Sequence, residues 1–152
     1  MVIVSACLAG IDCKYNGGNN LNKKIAELVS RGKAVPVCPE QLGGCATPRP
    51  KAEISGGTGA CVLDAKCEVL RENGKVVTNE FIKGAEEVLK IAGLLGAKEA
   101  ILKSKSPSCG CGYIYDGTFS GKLIKGNGVT SEMLIRNGIN VITEREFIDF
   151  EG

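Results

Sequence analysis

The sequence predicts an α/β fold: one domain built on a mostly parallel sheet, with helices on its flanks and an inserted β-hairpin. Three observations lead there. Short apolar, largely β-branched runs recur along the chain, they alternate with segments of helical periodicity, and the connections are rich in Gly, Asn and Pro. Alternation of this kind, with strands too apolar to face water, is the pattern of a sheet covered on both faces, here Rossmann-like. With 152 residues, 43% of them hydrophobic, the chain can build one core over residues 1–152, and no linker or internal repeat divides it.

Taken in order, residues 2–6 (Val-Ile-Val-Ser-Ala) read as a buried parallel strand that ends at Cys7 and enters a Gly- and Asn-rich loop over 10–20. Leu21, Ile25, Leu28 and Val29 recur at helical spacing, so 21–30 is expected to be a helix stopped by Gly32. Residues 34–37 are expected to form a second strand, and Pro36, which has no amide to donate, argues for a sheet edge or an irregular ladder. Residues 41–59 are expected to be a long loop. Residues 61–77 alternate around Asn73-Gly74 and are expected to form a hairpin. Residues 78–96 carry Phe81, Ala85, Val88, Leu89 and Ala92 on one helical face, with Thr78 or Asn79 as the cap and Gly96 as the stop. A third strand covers 100–102, a Gly-rich segment runs to Gly128, a helix covers 129–137, and a last strand covers 139–142.

Composition excludes several chemistries. With His 0, neither a Ser-His-Asp nor a Cys-His pair can form, and any metal must be held by thiolates or carboxylates. A net charge of +2 is too mild to imply nucleic acid by its field. The apolar start, residues 1–10, is too short to span a bilayer and lacks a basic leader, so a soluble cytoplasmic protein is expected.

Cys 8 in such a chain needs an explanation. A disulfide scaffold is not expected, and the paired CxxC elements of a zinc knuckle are absent. Cys7, Cys38 and Cys109 each lie at or shortly after the carboxyl end of a predicted strand, where parallel sheets bind ligands. Three thiolates without histidine suit a [4Fe-4S] cluster with one iron left open, a soft Lewis acid. A fourth thiolate would close the cluster, suiting a redox module or cluster carrier, and structural zinc is the competing use of the same donors.

Several strings, in order along nearly the whole chain, resemble the thiouracil desulfidase family: Ser5-Ala6-Cys7-Leu8-Ala9-Gly10, Cys13-Lys14-Tyr15-Asn16-Gly17-Gly18, Cys38-Pro39-Glu40, Pro48-Arg49-Pro50, Ala52-Glu53-Ile54, Ser106-Pro107-Ser108-Cys109-Gly110 and Tyr115-Asp116-Gly117-Thr118-Phe119. The resemblance implies a [4Fe-4S] enzyme that converts thiouracil and water to uracil and hydrosulfide without net redox chemistry, an open iron binding the substrate sulfur. It implies Cys7, Cys38 and Cys109 as ligands, with Cys13 as the alternative to Cys7. Cys45, Cys61, Cys67 and Cys111 fall outside the pattern and are read as filler or loop thiols, with Cys45 or Cys111 as the alternative thiolate that would close the fourth corner of the cluster. Glu40, two residues after a ligand, is the candidate acid/base, against a role in capping the following turn. Ser106 is the candidate hydrogen-bond partner of the base, against a plain Ser-Pro turn. Ser104 and Lys103 are secondary candidates, Tyr15 is a candidate stacking ring, and the loop around Arg49 is a candidate lid. The expected partner is a thiolated pyrimidine, with thiolated tRNA as the larger alternative.

Overall fold

The computed structural model describes residues 1–151, with side chains through Phe147; Gly152, part of the expected domain span, lies outside the described residues. In chain order the elements are β1 (Val2–Ser5), a 3-10 turn (Ala6–Ala9), α1 (Lys23–Ser30), β2 (Ala34–Val37), α2 (Pro39–Leu42), β3 (Ala52–Ser55), α3 (Gly59–Leu63), β4 (Glu68–Arg71), α4 (Thr78–Leu95), β5 (Glu99–Leu102), β6 (Tyr113–Tyr115), β7 (Leu123–Lys125), α5 (Val129–Arg136), β8 (Asn140–Thr143) and α6 (Glu144–Glu151).

Strands β2, β1, β5 and β8, in that order, form a wholly parallel sheet. Alternate side chains leave its two faces. Ile3, Ala100, Leu102 and Val141 pack with Val88 and Ala92 of α4 and Leu134 of α5. Val4 and Ile101 pack on the other side with Leu8, Ile25 and Phe147. The expected three-layer α/β architecture therefore forms, and Pro36 does sit on the edge strand. A further body of core, including Ile54, Val69, Phe81 and Ile114, lies under two antiparallel hairpins, β3–β4 and β6–β7. Among the described residues no helix is long and apolar enough to cross a membrane.

The inserted hairpin exists but differs from the expected one. Asn73-Gly74 does turn the chain, with Gly74 donating to the Arg71 carbonyl at 2.8 Å and Arg71 to that of Lys75 at 2.9 Å. Beyond this turn only Leu70 and Val76 bridge. The main partner of β4 is β3, within the expected loop, in a register from Ala52↔Arg71 to Ser55↔Glu68. Residues 61–63, expected within the hairpin, are helical as part of α3, whose first residue Gly59 docks its amide on the Asn127 carbonyl (2.8 Å) where a side chain would collide with Gly128. Asn22 caps α1 through Lys24 and Ile25, so that helix begins two residues later than its apolar spacing suggests. Thr78 does not cap α4; its hydroxyl accepts the Val69 amide at 3.0 Å and ties β4 to the helix. The unexpected α6 starts at a Thr143–Glu146 reciprocal cap, a T-x-x-E signal visible in the sequence.

One contact fixes α2. A Cβ on Gly84, in the middle of α4, would run into the Pro39 carbonyl, and one on Gly43 into the Glu80 carbonyl. The two backbones touch, which only glycine permits. Gly84→Ala should therefore destabilise the fold by about 2 kcal/mol, although alanine favours a helix by about 1 kcal/mol; urea unfolding measures the difference.

The cysteine pair at 61 and 67 forms a disulfide across the end of the β3–β4 hairpin, with Gly57 packed against both sulfurs. The filler reading of these two residues is corrected accordingly: they are bonded to each other. Closing so short a loop contributes about 2 kcal/mol in the chain-entropy picture. Replacing both with alanine should lower unfolding stability by that amount under oxidising conditions and change little in reductant.

Candidate functional site

Strands β2, β1 and β5 are neighbours and point the same way, so their carboxyl ends share one rim. Cys38 follows β2 directly, Cys7 sits in the 3-10 turn after β1, and Cys109 lies in the loop after β5. These three and Cys13 all line one cavity of about 430 Å³. Glu40, Ser106, Ser104, Lys103, Arg49 and Tyr15 line it too, so every residue proposed from the sequence for the site comes together there. Cys45 and Cys111 do not reach this cavity. Cys45 packs in the core beneath the hairpins, and Cys111 packs against the sheet core with its thiol 3.6 Å from the Val141 carbonyl.

The thiols sense one another. Cys109 is buried, which pushes its thiol far up, against a hydrogen bond from Ser5 and with further upward pressure from Cys7 and Cys38. Burial likewise raises Cys7, against a hydrogen bond from Asn20, a residue whose role the sequence did not suggest. Cys38 behaves oppositely: the neighbouring Cys13 thiol pulls it down to about 7, helped by the Gln41 amide at the start of α2. Cys13 is correspondingly held protonated.

Arg49 is a fixed wall of this cavity. Its backbone amide donates to the Tyr15 carbonyl at 2.7 Å. Its guanidinium donates to Glu40 Oε1 (3.0 Å), the Ala46 carbonyl (3.2 Å), Thr47 Oγ1 (2.8 Å) and the Cys13 carbonyl (2.9 Å). With a side chain only 4% exposed, Arg49 is a buried strut joining the Cys13 loop to α2, which corrects the expectation of a lid.

Ser106 does form a turn, because its Oγ accepts the amides of Ser108 (3.1 Å) and Cys109 (3.0 Å). Both acceptor positions are then filled and the hydroxyl proton is left to donate. Lys103 Nζ is held by the Ser104 carbonyl (3.1 Å) and hydroxyl (3.2 Å), near Glu144. Residues missed as site members come mainly from the hairpins: Lys51, Glu53, Tyr115 and Phe119 line the cavity. The signal for Glu53 was a charge placed mid-strand between Ala52 and Ile54.

Fold and site together define a class: α/β proteins with a cysteine-lined ligand cavity at the carboxyl rim of a parallel sheet. Within it, the chain belongs to the 2-thiouracil desulfurase family, whose model matches residues 2–146. It is similar to the uncharacterized protein YbbK of Bacillus subtilis (strain 168), at 49% identity over 149 residues, covering 98% of this chain and 99% of that one. Among solved structures it is similar to the [4Fe-4S]-dependent thiouracil desulfidase TudS, with a TM-score of 0.85 and 39% identity over 97% of this chain and 93% of the other.

Arg49→Lys should cost about 2–3 kcal/mol of stability, because one ammonium cannot serve four acceptors and leaves buried groups unpaired. Denaturant unfolding followed by circular dichroism checks it.

Proposed function

We propose that the protein is a [4Fe-4S]-dependent thiouracil desulfidase that converts thiouracil and water to uracil and hydrosulfide. The observation that carries this reading is the meeting of Cys7, Cys38 and Cys109 from three strand ends in one cavity with Glu40 and Ser106. The donor set fits the group: soft sulfur ligands, no histidine, and thiols that feel one another's charge. Cys7, Cys13, Cys38 and Cys109 line one cavity of about 430 Å³, which has room for a multi-atom cluster.

Cys7, Cys38 and Cys109 would hold the cluster, one iron having no protein ligand. When bound, the cluster supplies a soft Lewis acid that polarises the substrate C–S bond. Arg49 holds Glu40 by Oε1, and among the described residues Oε2 has no hydrogen-bond partner. Glu40 Oε2 takes a proton from water as its oxygen adds to the ring carbon. Ser106 donates a hydrogen bond to the ring's polar edge, where charge develops. Glu40 returns its proton to the sulfur as the C–S bond breaks, so sulfur leaves as hydrosulfide, and the remaining water proton leaves the new oxygen to the Glu40 carboxylate, making the carbonyl of uracil. Buried Cys13, in the same cavity, favours a second reading in which it is the fourth ligand and the closed cluster serves electron transfer or cluster delivery.

Anoxically prepared protein should carry about four irons and absorb near roughly 400 nm, and should release hydrosulfide from thiouracil. Serine at 7, 38 or 109 should remove the cluster, whereas Cys13→Ser should keep it. Glu40→Gln should keep the cluster and lower kcat about 100-fold or more. A colourless zinc protein, or Glu40→Gln with full turnover, refutes the corresponding part.

A further inference from the structure

Resting on the desulfidase reading, we propose that Phe119 is the face on which the substrate's pyrimidine ring stacks, and that Glu53 is the positioning residue that holds it there. Phe119 has φ +55°, in the left-handed region that a bulky side chain avoids. Glycines stand two residues to either side, Gly117 with φ +93° and Gly121 with φ +81°. A third glycine would relax the turn. Instead the chain keeps an aromatic ring there, on the wall of the thiol cavity. Strain of this kind persists where the surroundings over-determine it, and it concentrates at functional sites.

The surroundings do over-determine it. Glu53 is a buried carboxylate on β3, and its Oε1 accepts the amides of Gly117 (2.9 Å) and Phe119 (3.1 Å). A carboxylate is expensive to bury in a strand for packing alone; among the described residues its side-chain hydrogen bonds go to this turn. A Cβ at Gly117 would strike the Ile54 carbonyl, so the turn lies flat on β3. Asp116 Oδ1 then accepts both the amide (2.9 Å) and the hydroxyl (2.6 Å) of Thr118. These contacts fix the backbone at Gly117, Thr118 and Phe119 itself.

The ligand follows from the chemistry of the wall. Among the described residues three aromatic side chains line this cavity: Tyr15, Tyr115 and Phe119. Tyr15 is already engaged by the ammonium groups of Lys14 and Lys51, 5.8 and 5.7 Å from its centroid. Phe119 offers a ring without a polar atom. A planar heterocycle, apolar on its faces and polar at its edges, gains from such a ring, while its edges meet Ser106 and Glu40. An open-chain thioamide gains nothing.

The test is calorimetric titration of the anoxic holoprotein with uracil, with KM and kcat for 2-thiouracil measured in parallel. Phe119→Leu should weaken uracil binding and raise KM about tenfold, with kcat within about twofold and iron content unchanged. Phe119→Trp should restore both. Glu53→Ala should behave like Phe119→Leu, whereas Glu53→Gln, whose amide oxygen still accepts two N–H groups, should stay close to the parent. If Glu53→Ala does not fold, the Phe119 pair decides alone. Phe119→Leu with unchanged KM, or a parent protein that does not bind uracil, overturns the inference. A parent protein that binds uracil yet releases no hydrosulfide refutes the desulfidase reading and leaves the stacking face standing.

Discussion

The direction of three neighbouring strands decides almost everything else. Because β2, β1 and β5 run parallel and adjacent, residues separated by up to about a hundred positions in sequence leave the sheet at one rim. An antiparallel strand among them would have sent one cysteine to the opposite end of the molecule. Parallel strands need long crossovers, and those crossovers supply α1, α2 and the two hairpins that wall the cavity. Site and scaffold are thus consequences of the same topology.

Bringing thiols together in a buried place opposes their ionisation, and the chain answers with hydrogen-bond donors. Ser5 serves Cys109, Asn20 serves Cys7, and Cys13 with the Gln41 amide serves Cys38. The charges of Lys103 and Arg49 act only as lesser aids. Such donors stabilise a sulfur anion, or a sulfur bonded to metal, without occupying the position a metal needs. Arg49 meanwhile spends its guanidinium on carbonyls and on Glu40, so it shapes the cavity wall and orients a carboxylate.

Much of this was legible in the sequence. The apolar β-branched runs and the helical face of Phe81, Ala85, Val88 and Ala92 marked the sheet and its main helix, because burial selects those residues directly. Cys7, Cys38 and Cys109 were legible as a group since each stands just past a strand. Less legible were β3, β6 and β7, three- or four-residue strands stabilised by tertiary packing that leave too short a pattern to read. Arg49 looked like part of a lid because of its prolines and flanking glycines, and no local signal announces that its guanidinium reaches beyond Ala46 and Thr47 to Glu40 and the distant Cys13 carbonyl. The Cys61–Cys67 bond was hidden for a similar reason: a spacing of six residues suits a loop as well as a bridge. Glu53 and Phe119 were visible in their motifs, but their joint use depends on β3 lying against the turn at Gly117, a contact between distant segments.

The touching backbones of α2 and α4 carry an evolutionary consequence. Gly43 and Gly84 keep one shared gap closed, so their substitution effects should not add. Once either position gained a methyl group and pushed the helices apart, the second glycine would lose its steric reason and could change at little further cost. Cys38 and Glu40 would shift with α2 in the same event. Drift at this crossing is therefore epistatic: the first step is penalised, the second nearly free, and the path between the two sequences runs through a misaligned site.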